Sequence, residues 1–251
     1  MPAVEASLLR ALTRDPRHGV RQLASRLRAR QARAARETAR LTALFATEQE
    51  QRMVGFTAIA GVDEVGVAPL AGPVVAAAVI LPPDVVLFQL DDSKRLTAAQ
   101  REALFEQIMS VAIDVHVGMA VVEEIDRLNI LQATRLAHRR AILGLRVRPH
   151  LVLIAGRFPA DVPVPQLVVI DGDATCASIA AASVVAKVTR DRLMAELGQR
   201  YPPYGFAQHK GYGTKAHLAA IRRHGLTPLH RRSFLPVRVH QESLLAVEPS
   251  G

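Results

Sequence analysis

The chain has no tryptophan and a single cysteine, and aromatic residues make up only 4% of it. One cysteine, Cys176, excludes an intramolecular disulfide and fits a reducing compartment, so a cytoplasmic location is expected. None of the nine histidines has the thiolate or paired-histidine spacing of a zinc site. Neither a GxSxG nucleophile elbow nor a P-loop occurs. No apolar run reaches the length of a membrane span, so no membrane partner is expected. A monomer is expected, although the sequence does not itself give the oligomeric state. The Arg-rich N-terminus lacks the apolar stretch of a secretory leader and reads as folded helix rather than a targeting segment. Acidic residues are outnumbered: 23 Asp and Glu against 32 Lys and Arg give a net charge of +9. That balance suits a polyanionic partner, with nucleic acid the first choice, although charge alone fits a merely soluble basic protein as well.

At 251 residues the chain accommodates one large domain and a small appendage. Residues 1–54 read as a basic helical extension, 55–238 as the main domain and 239–251 as a tail. In the extension, Leu8, Leu9 and Leu12 share a face of one short helix. Asp15-Pro16-Arg17-His18-Gly19 is turn chemistry, and Val20 to Phe45 shows apolar residues at helical spacing with arginines between. Those arginines form either a solvated face or a nucleic-acid face. From Phe56 the period changes. Thr57–Val62 and Val74–Leu81 read as buried strands, and Thr97 caps a helix running to Ala112. Ile113–Val121 is a strand, and Glu123–Leu145 is helical with a break near Asn129. Leu151–Ile154 and Leu167–Ile170 are short strands, and Ala174–Leu197 is one long helix. Beyond Tyr201, Pro and Gly break the chain into loops and short helices. Strands joined by helices predict an α/β domain.

The most informative stretch is Gly61-Val62-Asp63-Glu64-Val65-Gly66. Two adjacent carboxylates end an apolar run, which is costly unless a divalent cation sits between them. A two-metal site needs three or four carboxylates around ions about 4 Å apart. Asp173 is the best third ligand, because it follows the strand Leu167–Ile170 at the mouth of the next helix, though as an Asp it also suits a helix cap there. Asp92-Ser93-Lys94-Arg95 is either a capping turn or a substrate loop. Ser183 and Lys187 lie at i, i+4 on a helix rich in small residues, a spacing that suits a phosphate contact. In Gln208–Lys215, Tyr212 stands between two glycines among cations and offers a flat face to a base or sugar. Its alternative is a core tyrosine. His230-Arg231-Arg232-Ser233-Phe234 is a second basic knot.

Together these residues resemble bacterial ribonuclease HII. The resemblance runs from about Ile59 to Val237. It is carried by Ala60–Gly66, Asp92-Ser93-Lys94, Asn129–Thr134, Ile179–Asp191 (IAAASVVAKVTRD), Tyr201–Thr214 and His230–Pro236, in order. Asp15–Gly55 looks like the helical extension that some bacterial members carry. The resemblance implies an RNase H-like mixed sheet flanked by helices. It also implies an endonuclease that hydrolyses the RNA strand of RNA–DNA hybrids and nicks DNA 5′ to an embedded ribonucleotide. The implied cofactor is Mg²⁺ or Mn²⁺, held by four carboxylates.

Two departures stand out. Asp63, Glu64 and Asp173 match the first, second and fourth of the family's carboxylates, but the third position falls on Ala155 in Ile154-Ala155-Gly156-Arg157. The family's Gly-Arg-Gly, whose backbone approaches the 2′-hydroxyl, is Gly66-Val67-Ala68 here. Losing one carboxylate forfeits several kcal/mol of charge stabilisation; a loss of about 4 kcal/mol is roughly a thousandfold in rate. Hydrolysis is therefore expected to be reduced or lost. Arg157 adds a cation near the site. Asp171 offers a substitute ligand if Asp171 and Asp173 share one side of an extended segment. The expected substrate contacts are Gly66, Val67, Ala68, Ser93, Lys94, Ser183, Lys187 and Tyr212. The alternative reading is a protein that binds hybrids or junctions without cutting them.

Overall fold

The computed structural model describes residues 6–239. The chain divides into two units after Leu44. In the first, α1 (Ala6–Arg14) packs on the long α2 (His18–Leu44). Asp15 forms the turn between them, its Oδ1 accepting the Arg17 backbone N–H at 2.9 Å. Arg21, Arg26, Arg28, Arg33 and Arg36 stand exposed along α2.

The second unit begins with α3 (Ala46–Met53) and strands β1 (Ile59–Val65) and β2 (Val74–Ile80). Then come α4 (Ala98–Val111), β3 (Asp114–Ala120), α5 (Val122–Leu128) and α6 (Ile130–Leu143). Strands β4 (Leu151–Ala155) and β5 (Gln166–Val169) are followed by the short α7 (Gly172–Thr175) and the long α8 (Ala177–Arg200). A 3-10 turn (Pro202–Tyr204), α9 (Phe206–His209) and α10 (Lys215–His224) follow. The sheet order is β3-β2-β1-β4-β5. Strands β3, β2 and β1 are antiparallel neighbours, whereas β1, β4 and β5 run parallel. This is a mixed five-stranded sheet with helices on both faces, the RNase H-like arrangement expected from the resemblance.

Several elements follow from local chemistry. Thr97 and Gln100 form a capping box that starts α4: Thr97 Oγ1 accepts the Gln100 N–H, and Gln100 Oε1 accepts the Thr97 N–H. Asn129 breaks the α5–α6 run with φ +70°, and its side chain caps α6 through the Gln132 N–H. The expected single helix from Ala174 is interrupted at extended Cys176, which separates α7 from α8.

The alternation of β1 builds two cores. Ala60 and Val62 pack with Ile125, Ala133, Ala137 and Ala141 on the α6 side. Ile59 packs with Leu151, Leu153, Cys176 and Ile179 on the α8 side. A Cβ at Gly61 would collide with the Ser178 backbone, so glycine lets α8 lie directly on β1. The start of α8 is fixed from α3: buried Glu48 accepts both the Ser178 backbone N–H and its hydroxyl at 2.7 Å.

Candidate active site

The parallel strands β1, β4 and β5 end at the same edge of the sheet. The β1–β4 ladder closes at Val62 opposite Ile154, so the next step brings Asp63 abreast of Ala155. Strand β1 itself continues against β2 as far as Val65, three residues beyond the expected end, and carries both carboxylates within regular strand. Beyond β5, Asp171 and Asp173 follow within the turn into α7. A cavity of about 180 Å³ opens at this edge, lined by Asp63, Glu64, Lys94, Ala155, Gly156, Asp171, Gly172 and Asp173. A larger groove of about 540 Å³ lies between β3 and α6, but it holds no carboxylate. Convergent charge, not volume, marks the site.

Neighbouring side chains on a strand point to opposite faces. Asp63 turns toward α8 and is buried, hydrogen-bonded by Ser183. Burial holds its carboxyl well above the usual carboxylate range, and the negative charges of Glu64 and Asp173 push it further up. Ser183 in turn bonds the buried Ser93 hydroxyl at 2.8 Å. Ser183 and Ser93, both expected as substrate contacts, are thus joined to each other on the Asp63 side of the sheet. Glu64 turns toward α6, where His138 Nε2 meets its Oε2 at 2.8 Å.

Lys94 is held over the cavity by its own loop, with Asp92 Oδ1 accepting its backbone N–H at 2.9 Å. Its Nζ donates to Asp173 Oδ2 at 2.8 Å, and that bond raises its pKa. Asp171 and Asp173 do not share an extended segment. Asp171 is left-handed at φ +52°, and its carbonyl accepts the Ala174 N–H that closes the turn of α7. Gly172 packs closely against Ile179 of α8, where a Cβ would crowd the end of that side chain. Asp171 still reaches the cavity, by a bend rather than by strand alternation. Arg157 is exposed and does not line it.

The other expected contacts lie apart from the cavity. Lys187 donates to Asp191 at 2.7 Å along α8. Gly66-Val67-Ala68 belongs to a loop whose carbonyls turn inward onto two fully buried arginines. Arg231 donates to the carbonyls of Gly66, Val67 and Gly72, and Arg190 to those of Ala71, Pro73 and Lys210. Arg231, within the second basic knot, is a buried structural cation, and burial beside Arg190 lowers its pKa to about 9. Tyr212 is 43% exposed, one residue after Gly211, whose carbonyl accepts the Leu70 N–H at 2.9 Å. The loop after β1 and the Tyr212 segment are therefore stitched into one surface.

The donors of the cavity are all hard oxygens, the chemistry that suits a hard divalent cation. A buried carboxyl under the repulsion of its neighbours is relieved by such a charge, and Lys94 already places a cation on Asp173. Among the described residues, no three ligand-type side chains stand close enough together to enclose an ion in this conformation. The donor set fits the ion in kind, with Ala155 leaving one wall without a carboxylate. His138 escaped the sequence reading; its only signal was a polar residue beside the small buried face Ala133, Ala137 and Ala141.

The family model for ribonuclease HII matches residues 60–237, and that for the ribonuclease HII N-terminal domain matches residues 2–52. Ribonuclease HII of Desulfitobacterium hafniense (strain DSM 10664 / DCB-2) is 52% identical over 230 residues, covering 92% of this chain and 88% of that protein. Among solved structures, ribonuclease H2 from Pyrococcus horikoshii OT3 superposes with a TM-score of 0.64 at 26% identity, covering 75% of this chain and 99% of that one. Bst-RNase HIII in complex with Mn²⁺ gives a TM-score of 0.60 at 18% identity, covering 76% of this chain and 71% of that one, a likeness of fold alone. Among the described residues no helix is long and apolar enough to cross a membrane.

Proposed function

The chain belongs to the ribonuclease HII family, and from that premise we propose that it binds RNA–DNA hybrids and DNA with embedded ribonucleotides and hydrolyses the RNA phosphodiester slowly. One observation carries this reading: Asp63, Glu64, Asp171, Asp173 and Lys94 line a single cavity together with Ala155. In it, Asp63, Glu64 and Asp173 hold Mg²⁺ or Mn²⁺, with Asp171 the nearest substitute for the carboxylate missing at Ala155. When bound, the ion supplies positive charge to the phosphate being cleaved. Ser183 and Ser93 fix the orientation of Asp63. Lys94 leaves Asp173 to pair with a substrate phosphate. Tyr212 offers its exposed ring to a base or sugar, and the adjoining Gly66-Val67-Ala68 loop meets the junction. The α2 arginines and Lys187 add phosphate contacts.

A second reading, hybrid binding without hydrolysis, is favoured by one specific contact: the Lys94 ammonium already occupies Asp173. Cleavage of a duplex with one embedded ribonucleotide, followed in Mg²⁺ and in Mn²⁺, separates the two. Slow cleavage that disappears in Asp63→Asn supports the enzyme; tight binding with no cleavage in either metal supports the binder. An affinity that does not fall as salt rises contradicts both, because phosphate contacts release counterions.

A further inference from the structure

We infer that His138 is a positioning residue for Glu64: an imidazole that holds one carboxylate oxygen by a hydrogen bond and leaves the other to the cation. This rests on the metal-binding reading of the carboxylates above. Glu64 follows Asp63 on β1 and so points to the opposite face of the sheet, away from Ser183 and Ser93. On that face His138 reaches it from α6, with Nε2 2.8 Å from Glu64 Oε2. It is the one hydrogen bond to this carboxylate among the described residues, and Oε1 is left open.

A carboxylate only accepts, so Nε2 is the donor of this bond. His138 is 4% exposed, and Nδ1 is buried without a partner. Around it α6 presents Ala133, Ala137, Ala141 and Ile142, an apolar surface that a methionine would fill without an orphaned nitrogen. Packing alone therefore does not account for an imidazole here; the bond made by Nε2 does. Carboxylates that hold metals are commonly oriented in this way by an outer hydrogen bond.

The test is Mn²⁺ titration of the full chain by calorimetry, for wild type, His138→Met, His138→Gln, Glu64→Gln and the Glu64→Gln/His138→Met double variant. The Met variant is expected to bind Mn²⁺ about tenfold more weakly, and its melting temperature is not lowered, since it loses the orphaned Nδ1. Gln carries an N–H at the depth of Nε2 and is expected to restore most of the affinity. In the Glu64→Gln background His138→Met costs nothing further, because its effect runs through Glu64. A Met variant that binds like wild type, a Gln variant no better than Met, or a full additional loss in the double variant overturns the inference. If the wild-type chain takes up no Mn²⁺, the metal reading itself falls and the inference falls with it. If it binds Mn²⁺ and His138→Met changes nothing, only the inference falls.

Discussion

Lys94 reaches across 79 residues of sequence to place its ammonium 2.8 Å from Asp173 Oδ2. The chain thereby brings a cation of its own to a carboxylate cavity in which Ala155 contributes no charge. On the proposed reading, a lysine at this point competes with a divalent ion and pairs with an incoming phosphate. Lys94→Met is expected to tighten Mn²⁺ binding while weakening duplex binding. At about 4 Å and a water-like dielectric the removed repulsion between a unit charge and a divalent ion is on the order of 2 kcal/mol, roughly thirtyfold in affinity. Calorimetry with Mn²⁺ and a duplex titration check the two halves; equal or weaker Mn²⁺ binding contradicts the competition.

Asp63 destabilises the folded state at neutral pH. Its folded pKa lies above the unfolded value because of burial and the charges of Glu64 and Asp173. The folded state thus binds more protons between those two values, and stability falls as pH rises through the window. Asp63→Asn removes that cost and is expected to raise the melting temperature at pH 7 by about 3 °C. Below about pH 4, where the unfolded carboxyl is protonated too, the gain disappears. Melting curves across pH check it, and a gain independent of pH contradicts this origin.

Arg231 satisfies the inward carbonyls of the loop after β1 without an acidic partner among its hydrogen bonds. Arg231→Met leaves those carbonyls unpaired in the interior and is expected to cost about 3 kcal/mol, near 10 °C in melting temperature. Arg231→Lys keeps the charge but not the fork, and should recover only part of the loss. Hydrogen exchange at Gly66, Val67 and Ala68 should rise in both variants; unchanged exchange contradicts the loop-holding role.

Asp171 lines the cavity from a left-handed bend. If it supplies the missing carboxylate, Asp171→Asn lowers residual cleavage about tenfold with the fold intact. The rate under saturating Mn²⁺ decides, and an unchanged rate leaves Asp171 as a turn residue.

Much of this was legible in the sequence where the cause is local. The Thr97 cap, the Asn129 break and the alternation that buries β1 depend on neighbours a few residues away. The Asp63-Glu64 pair and Asp173 were legible because carboxylates at strand ends have few inexpensive explanations. The bond between Ser93 and Ser183 spans 90 residues and follows only from α8 lying on β1. The burial of Arg231 is not legible in the sequence because its acceptors are carbonyls, which leave no trace in side-chain chemistry. The bend at Asp171 puts a non-glycine residue at φ +52°, which no propensity of Asp171-Gly172-Asp173 dictates. His138 needed both the face of α6 and the face of β1 to be known.

The most direct measurement compares cleavage of a duplex with one embedded ribonucleotide by the wild-type chain and by Ala155→Asp, in Mn²⁺. Position 155 stands abreast of Asp63 on the neighbouring strand, so a carboxylate there faces the same cavity. Without metal the added charge should lower the melting temperature, and Mn²⁺ should restore it. The expected result is a rate increase on the order of a hundredfold or more. A variant that binds Mn²⁺ and the duplex yet cleaves no faster than wild type would contradict the claim that Ala155 limits this site.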